Sequence, residues 1–448
     1  MKKEWLLLAG SVMLTLLVAL GLIRWLAPHL VGVAVPVDRR VVQATEKVPP
    51  FFEVALALAP QGVGTQLVND PYVGHRRVGM VAENLVSNAP FDLLGFRNRS
   101  VPVVADVVAI GDSQTMGMNA VVDLTWPSQL EASLADGEVS VYNVSAGGWG
   151  AIQYLYMFDK VARFSPRLAV VAFYTGNDPV DSVHMVYNFD AWADMRKLPE
   201  MPEGAPSAWP PKPEDVWQVN FDDGISTGFT AKSRLAVNHR DYPRTHEGYR
   251  IMAAAATRID ALAVARGIQV LYTIIPTKEL AYAAKVKRAG LSIPNAYGQL
   301  VEHERQNVRE LATALDGLPH GHYVDVIGPL QQAALQPLSL YPTSDDGHPV
   351  ARGYQVIADA LSPYVKRLLP APPADGIAVL NDPKRPGESL VYLLRDGGVY
   401  LFTSRQALLD NGWDWQPGRF RRVTLRDLAA YHNRGVIGVV DPSRYGPR

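Results

Sequence analysis

Short apolar runs recur between longer amphipathic segments through the middle of the chain. Each run has the length and composition of a buried strand: Val103–Ile110, Val139–Val144, Leu168–Tyr174, Ile268–Ile275 and Tyr323–Ile327. The segments with helical spacing are Trp149–Phe164, His246–Gly267, Ala296–Leu315 and Val350–Leu369. This alternation predicts an α/β domain over residues 101–370, with a parallel sheet covered by helices on both faces. In such sheets, sites form at the carboxyl ends of the strands.

One long segment, Asp181–Arg244, interrupts the alternation. It is rich in proline and contains Trp192, Trp209 and Trp217. An irregular insertion of this length after a strand is usually functional or mobile. We therefore expect a lid or a wall of a substrate site; the alternative is a packed loop with no part in binding.

The first thirty residues predict a membrane anchor. Lys2 and Lys3 precede Trp5–Ile23, which contains no charged residue and is long enough to span a membrane as a helix. The basic flank orients the N-terminus toward the cytoplasm, so we expect the rest of the chain on the periplasmic or extracellular side. The alternative is a cleaved signal peptide. Residues 31–100 are interpreted as a spacer and a lead-in to the main domain.

A proline-rich linker at 369–375 separates the main domain from a small α+β module at 377–448. The module's pattern predicts strands at Leu390–Leu394, Gly398–Phe402 and Gly435–Val440, and a helix at Thr424–His432. It contains no motif that indicates a chemical role.

The composition excludes several classes of function. The formal net charge is −1 and there is no basic stripe, which argues against a nucleic-acid partner. The absence of cysteine excludes disulfides, thiol catalysis and cysteine-based metal sites. His320 and His322 are the best metal-ligand candidates, but no third ligand is evident in the sequence. We expect neither a metal nor another cofactor.

The sequence Gly111-Asp112-Ser113 follows an apolar run and precedes a predicted helix. This placement puts the Ser113 hydroxyl at a helix N-terminus, where amide dipoles favour developing negative charge. The motif alone is weak evidence for a nucleophile, because strand-to-helix turns favour glycine, aspartate and serine for local reasons.

A base for Ser113 is found in the sequence Asp345-Asp346-Gly347-His348, just before the closing helix. With a spacing of three residues, the Asp345 carboxylate can reach one imidazole nitrogen of His348 and leave the other to accept the serine proton. Asp346 is the competitor at a less suitable spacing. The local alternative is that Ser344 or Asp345 caps the helix.

Two further motifs lie at predicted strand ends. The Gly148 N–H, in the sequence NVSAGG, and the Asn177 side-chain amide, in GND, are donors of the kind that stabilise an oxyanion. Turn formation is the alternative explanation for both, since glycine and asparagine often end strands.

These four motifs, in this order, resemble those of the SGNH hydrolases, also called GDSL esterases. The resemblance implies a flavodoxin-like three-layer α/β/α sandwich. It implies Ser113, His348 and Asp345 as a catalytic triad, and Ser113, Gly148 and Asn177 as the oxyanion hole. Ser145 stands where many members have glycine.

A narrower resemblance points to membrane-tethered bacterial proteins that add or remove O-acetyl groups on exported polysaccharides. It is carried by Phe91–Arg97, by Pro276–Glu279 and by the anchor. The resemblance implies that Lys278 and Glu279 line the site and that a membrane acyltransferase is a partner. In the alginate proteins of this group the Asp-His pair precedes the serine, whereas here it follows.

The expected function is hydrolysis or transfer of an acyl ester, carried on a carbohydrate, through acyl-Ser113. Two alternatives remain open at this stage. One is a lipid or lysophospholipid esterase, and the other is a non-catalytic polysaccharide-binding scaffold with the same fold.

Overall fold

The structure is a computed structural model that describes residues 67–70, 74–77, 92, 96–98, 105–134, 139–161, 166–369, 375–381, 389–415, 420–423, 425–428, 431–437 and 440–447. The predicted anchor, residues 1–30, lies outside these ranges. Within them, no helix combines the length and the apolarity that a membrane crossing requires. Strands β1 (Leu67–Asp70) and β2 (Gly74–Arg77) pair as an antiparallel hairpin in the predicted lead-in.

The main domain contains the following elements in chain order: β3 (Val107–Gly111), α1 (Ser113–Met116), α2 (Trp126–Ser133), β4 (Val141–Ser145), α3 (Ala151–Val161), β5 (Leu168–Tyr174), α4 (Asp178–Asn188), β6 (Trp217–Asn220), β7 (Ser226–Phe229), α5 (Ala231–Asn238), α6 (Pro243–Arg266), β8 (Gln269–Ile275), α7 (Lys278–Ala281), α8 (Ala283–Arg288), α9 (Asn295–Asp316), β9 (Gly321–Val324), α10 (Ile327–Ala334) and α11 (Ala351–Leu368). Four of the predicted strands and all four predicted helices are confirmed, with end shifts of a few residues. The strand predicted at Tyr323–Ile327 is right only at Tyr323 and Val324, because β9 ends at Val324 and Ile327 begins α10.

Five strands form one parallel sheet in the order β4-β3-β5-β8-β9. Every residue of β3, β4 and β5 is buried, as expected for strands covered on both faces. Helices α2 and α11 pack together, while α3, α4 and α9 pack around α6. The strand order is that of the flavodoxin-like sandwich, and the order reverses at β3. Chain segments leaving β3, β4 and β5 therefore meet at one edge of the sheet.

The insertion at 181–244 is more regular than its sequence indicates. It contains most of α4, the antiparallel hairpin β6–β7, and α5. Phe229, at the end of β7, is fully buried between Trp217, Tyr282 and Tyr297. These aromatic contacts fix the hairpin on the domain.

The C-terminal module has its own five-stranded sheet. Its elements are β10 (Gly376–Asn381), β11 (Ser389–Arg395), β12 (Gly398–Phe402), α12 (Arg405–Asp410), β13 (Arg421–Val423), α13 (Leu425–Leu428), β14 (His432–Ile437) and α14 (Pro442–Tyr445). The strand order is β13-β10-β11-β12-β14. The predicted helix Thr424–His432 is wrong at its end, because His432 begins β14. The last strand, predicted at Gly435–Val440, is observed as β14, which begins at His432 and ends at Ile437.

Candidate active site

Ser113 is the first residue of α1, directly after β3. Asp112 caps this helix: its carboxylate accepts a hydrogen bond from the Gln114 main-chain N–H at 2.8 Å. A side chain at Gly111 would overlap Thr115, so only glycine allows the turn from strand to helix here. The main-chain N–H of Ser113 lies at the first helical position, where a helix supplies no acceptor of its own.

His348 reaches Ser113 from the loop before α11. Its Nε2 lies 2.8 Å from Ser113 Oγ, within hydrogen-bond distance. Its Nδ1 lies 2.6 Å from Oδ1 of Asp346. A chain of carboxylate, imidazole and hydroxyl groups is therefore formed, which is the arrangement that lets imidazole accept a serine proton.

The choice of Asp345 as the partner of His348 is wrong in this structure. Asp345 is exposed, and the carboxylate on His348 is that of Asp346. The same Asp346 oxygen also accepts from the His348 main-chain N–H at 2.9 Å. This tight turn across Gly347 folds the chain back, so a spacing of two residues is sufficient to reach the ring.

The charge state of Asp346 follows from this contact. Burial alone would raise the pKa of its carboxyl, but the hydrogen bond from His348 and the charge interaction with that residue outweigh burial. The pKa of Asp346 is therefore held well below its usual range. Asp346 is an ionised acceptor at every pH where imidazole can act as a base.

A second carboxylate lies beside the serine. Asp112 Oδ2 is 3.3 Å from Ser113 Oγ, farther than His348 Nε2, and the hydroxyl has a single hydrogen to donate. Asp112 is fully buried, and burial raises the pKa of its carboxyl to about 6. The hydrogen bond from Gln114 and the charge interaction with His348 act in the opposite direction and make the rise smaller. The shorter distance favours donation to His348.

The two predicted oxyanion donors lie on the same cavity wall as Ser113. Gly148 has a φ of 74°, a conformation that favours glycine, in a turn after β4. A side chain added at the adjacent Gly147 would come within 3.7 Å of Ser113 Cβ. Asn177 caps the start of α4, and its Nδ2 donates to Asp181 Oδ2 at 2.6 Å. One amide hydrogen of Asn177 is thus fixed by Asp181, and the other is left for a ligand.

Lys278 and Glu279 do not line this cavity, contrary to what the narrower resemblance implies. Both are 1% exposed. Lys278 Nζ donates to the carbonyl oxygens of Ser344 and Asp346, each at 2.9 Å. Burial lowers the pKa of Lys278 to about 8, with Glu279 opposing that shift. Lys278 therefore supports the loop that bears His348.

Glu279 supports the insertion. Its Oε1 accepts from the Thr230 main-chain N–H at 2.7 Å, at the junction between β7 and α5. The hairpin in turn contacts the loop before His348: the Gly228 N–H donates to the Ser344 carbonyl at 3.3 Å, and Thr227 Oγ1 donates to the Pro342 carbonyl at 3.1 Å. The insertion thus supports the loop of the base.

Arg97 supports the helix that begins at Ser113. The sequence singles out the segment Phe91–Arg97 but indicates no role for Arg97 itself. Its guanidinium is buried and donates to the carbonyl oxygens of Met116, Gly117 and Ala120. Burial lowers the pKa of Arg97 to about 10, and Tyr354 opposes this shift. These bonds hold the C-terminal end of α1, and hence the helix that begins at Ser113.

The cavity at the site has a volume of about 430 Å³. Ser113, Gly148, Asn177 and His348 all line it. The remaining wall comes mostly from the insertion: residues 204–209 and helix α5 contribute to it. These parts of the insertion therefore form part of the cavity wall. In the described part of the chain, no three histidine or acidic side chains converge as metal ligands would.

Neither a family model nor a curated protein matches the sequence. Solved structures do. TesA is 14% identical, covering 59% of this chain and 99% of its own, with a TM-score of 0.32. A Streptomyces rimosus extracellular lipase is 13% identical, covering 57% and 100%, with a TM-score of 0.34. A Geobacillus acetyl-xylooligosaccharide esterase variant is 11% identical, covering 59% and 96%, with a TM-score of 0.31.

The chain is similar to SGNH hydrolases. Its four SGNH motifs all reach one cavity, at the edge where the strand order reverses.

Proposed function

We propose that this protein is a serine-dependent ester hydrolase or acyltransferase that forms an acyl-enzyme on Ser113. The observation that carries the proposal is the chain of hydrogen bonds from Asp346 through His348 to Ser113, which opens into a cavity. A serine hydroxyl is a weak nucleophile unless a base accepts its proton, and here the base is present and oriented by a carboxylate.

In the first step, Ser113 Oγ attacks the ester carbonyl carbon while its proton passes to His348 Nε2. The carbonyl oxygen becomes an oxyanion, which accepts hydrogen bonds from the Ser113 and Gly148 N–H groups and from Asn177. The carbon–oxygen bond to the alcohol then breaks, and the alcohol leaves with the proton from His348. The acyl group remains on Ser113 as an ester.

In the second step, an acceptor hydroxyl gives its proton to His348 and attacks the acyl-serine. Water as the acceptor yields the free acid, and a sugar hydroxyl yields a new ester. Because the residues are the same in both reactions, the outcome depends on whether the cavity admits water or seats an acceptor.

We place the reaction on O-acyl, chiefly O-acetyl, groups of a carbohydrate. Trp209 supports this substrate class: the residue is 63% exposed although it lies on the cavity wall, and an indole offers a flat amphipathic surface to an incoming sugar ring. The charge-free stretch Trp5–Ile23 supports a location outside the cytoplasm, tethered to a membrane.

The test compares wild type with Ser113→Ala and His348→Ala on p-nitrophenyl acetate, with Ser443→Ala as an exposed-serine control. We expect either site variant to lose turnover by roughly 10³-fold or more, because the triad acts as a unit. A serine-reactive phosphonate should add its mass to wild type and to Ser443→Ala, but not to Ser113→Ala. Equal turnover and no adduct in all of these proteins would overturn the proposal.

A further inference from the structure

Arg234, on α5, brings a positive charge to the cavity wall. Its Nη1 donates to the Gly176 carbonyl at 3.0 Å. Its guanidinium lies 5.7 Å from the ring centre of Tyr174 and 5.3 Å from that of Trp209. A side chain added at Gly347 would meet Nη2 at 3.0 Å, so the guanidinium lies next to the residue before His348. The charge is therefore held beside the reacting groups.

Arg234 forms no ion pair within 4.0 Å in the described part of the chain. Burial acts to lower its pKa, but Tyr174 and the more distant carboxyls of Glu279, Glu304 and Asp112 outweigh burial and raise it, so the guanidinium is charged. A guanidinium has five N–H donors, and the hydrogen bond to Gly176 uses one of them. The Tyr174 hydroxyl, on a residue that is 2% exposed and lines the same cavity, also lacks a hydrogen-bond partner in the described residues. Donors without acceptors at a binding site indicate a ligand that supplies the acceptors.

The balance of charge around the cavity agrees with this reading. Arg234 and Arg244 are the guanidinium groups of its lining, and Asp181 is the carboxyl. Burial raises the pKa of Asp181 to about 7, with Asn177 and Arg234 opposing the shift and Asp112 adding to it, so this carboxyl is only partly ionised at neutral pH. The pKa of His184 is lowered, chiefly by partial burial and also by Arg244. Among the lining side chains, two guanidinium groups therefore face one partly ionised carboxyl, while the carboxyls of Asp346 and Asp112 lie beside His348 and Ser113.

We propose that the substrate of this site carries an oxyanion, a carboxylate or a phosphate, which accepts hydrogen bonds from Arg234. This inference rests on the proposed function and narrows its substrate to esters of an acidic sugar. Guanidinium is suited to the task because its planar fork donates two parallel bonds to either anion. A neutral ester leaves Arg234 without an acceptor in a partly desolvated site, so the anion also sets specificity.

The experiment measures acetate release from three monoacetylated sugars: methyl glucoside, methyl glucuronide and glucose 6-phosphate. Wild type is compared with Arg234→Gln, Arg234→Lys and the control Arg258→Gln, an arginine that pairs with Asp194 away from the cavity. We expect kcat/KM to be at least tenfold higher on one anionic ester than on the neutral one. The preferred arm identifies the anion as carboxylate or phosphate.

Arg234→Gln should lower kcat/KM on the anionic ester by roughly 10- to 100-fold, as for a lost hydrogen bond to a charged group. Its loss of turnover on p-nitrophenyl acetate, which carries no anion, should be clearly smaller than its loss on the anionic ester. Arg234→Lys should be intermediate, and Arg258→Gln should match wild type. Equal losses on all esters would show that Arg234 merely holds the Gly176 carbonyl, and equal kcat/KM on charged and neutral sugars would equally overturn the inference.

A binding measurement separates this inference from the proposed function. Saturation-transfer NMR on Ser113→Ala uses unacetylated methyl glucuronide, glucose 6-phosphate and methyl glucoside as probes. Selective binding of an anionic sugar that is lost in Ser113→Ala/Arg234→Gln supports the anion site even if no ester is turned over. Binding of all three sugars alike, or of none, overturns it, even if Ser113 proves to be a nucleophile.

Discussion

Lys278 holds Asp346 by its main chain: the ammonium Nζ lies 2.9 Å from the Asp346 carbonyl oxygen. The same group donates to the Ser344 carbonyl at an equal distance, so it joins two points of the loop that carries Asp346 and His348. A pKa lowered by burial to about 8 still leaves this lysine mostly protonated at neutral pH. A buried cation is thus satisfied by carbonyl dipoles in place of a carboxylate.

Replacing Lys278 with methionine should lower kcat by roughly 10- to 100-fold with little change in KM. The side chain keeps its volume, but the loop loses its anchor, and small displacements of a base are costly in rate. Steady-state kinetics on p-nitrophenyl acetate measure this effect. Lys287→Met, at an exposed lysine, is the control. A Lys278→Met protein with wild-type kcat would contradict the supporting role.

The neighbouring acids Asp345 and Asp346 provide a matched pair of variants. Asp346→Asn should reduce kcat by roughly 10³- to 10⁴-fold, because an amide no longer stabilises the imidazolium and can favour the wrong tautomer. Asp345→Asn, at an exposed position without a bond to the ring, should stay within threefold of wild type. If Asp345→Asn lost activity and Asp346→Asn did not, Asp345 would be the partner of His348, and the observed contact with Asp346 would be contradicted.

Asn177→Ala should lower kcat by roughly 10²- to 10³-fold, since one side-chain donor to the oxyanion is removed. KM should change far less, because the contact strengthens only as negative charge develops. Asn188→Ala, at the exposed end of the same helix, should be neutral. If the two variants behaved alike, the Asn177 side chain would serve only to bond Asp181.

The raised pKa of the Asp181 carboxyl predicts how the free energy of unfolding varies with pH. Burial raises its pKa to about 7, helped by Asp112 and opposed by Asn177 and Arg234, whereas an unfolded aspartate has a pKa of about 3.9. Between these values the folded state holds a proton that the unfolded state has lost, so this group's contribution to stability falls as pH rises from about 4 to about 7. Asp181→Asn cannot ionise and should escape this loss.

The check is thermal unfolding at pH 5 and pH 8. Relative to wild type, Asp181→Asn should gain more in Tm at pH 8 than at pH 5, by about 2–4 °C for each kcal/mol relieved. Asp222→Asn, at an exposed site, should show no such difference. A gain that is the same at both pH values would mean that ionisation of Asp181 is not its cause.

Much of the site was predictable because it depends on strand order. Once the apolar runs are recognised as parallel strands, Ser113, Gly148 and Asn177 must lie at one edge, whatever the detail of their loops. The length and apolarity of Leu168–Tyr174 determined its bounds to the residue. A strand that is buried on both faces is a continuous apolar run in the sequence, so its ends can be located from the sequence.

The errors concern contacts between segments far apart in sequence. The choice between Asp345 and Asp346 depends on one tight turn at Gly347, which periodicity does not reveal. The buried bond of Lys278 to the loop spans 68 residues, so nothing in its own neighbourhood indicated a supporting role. The hairpin β6–β7 was missed for a similar reason, since it is stabilised by aromatic packing on Tyr282, between α7 and α8, and on Tyr297 of α9.

Ser113 and its base are 235 residues apart in the chain, at opposite ends of the domain. A chain that ends before residue 348 therefore holds the serine without the imidazole beside it. Only a domain in which β3 and the loop before α11 are both in place joins the two side chains.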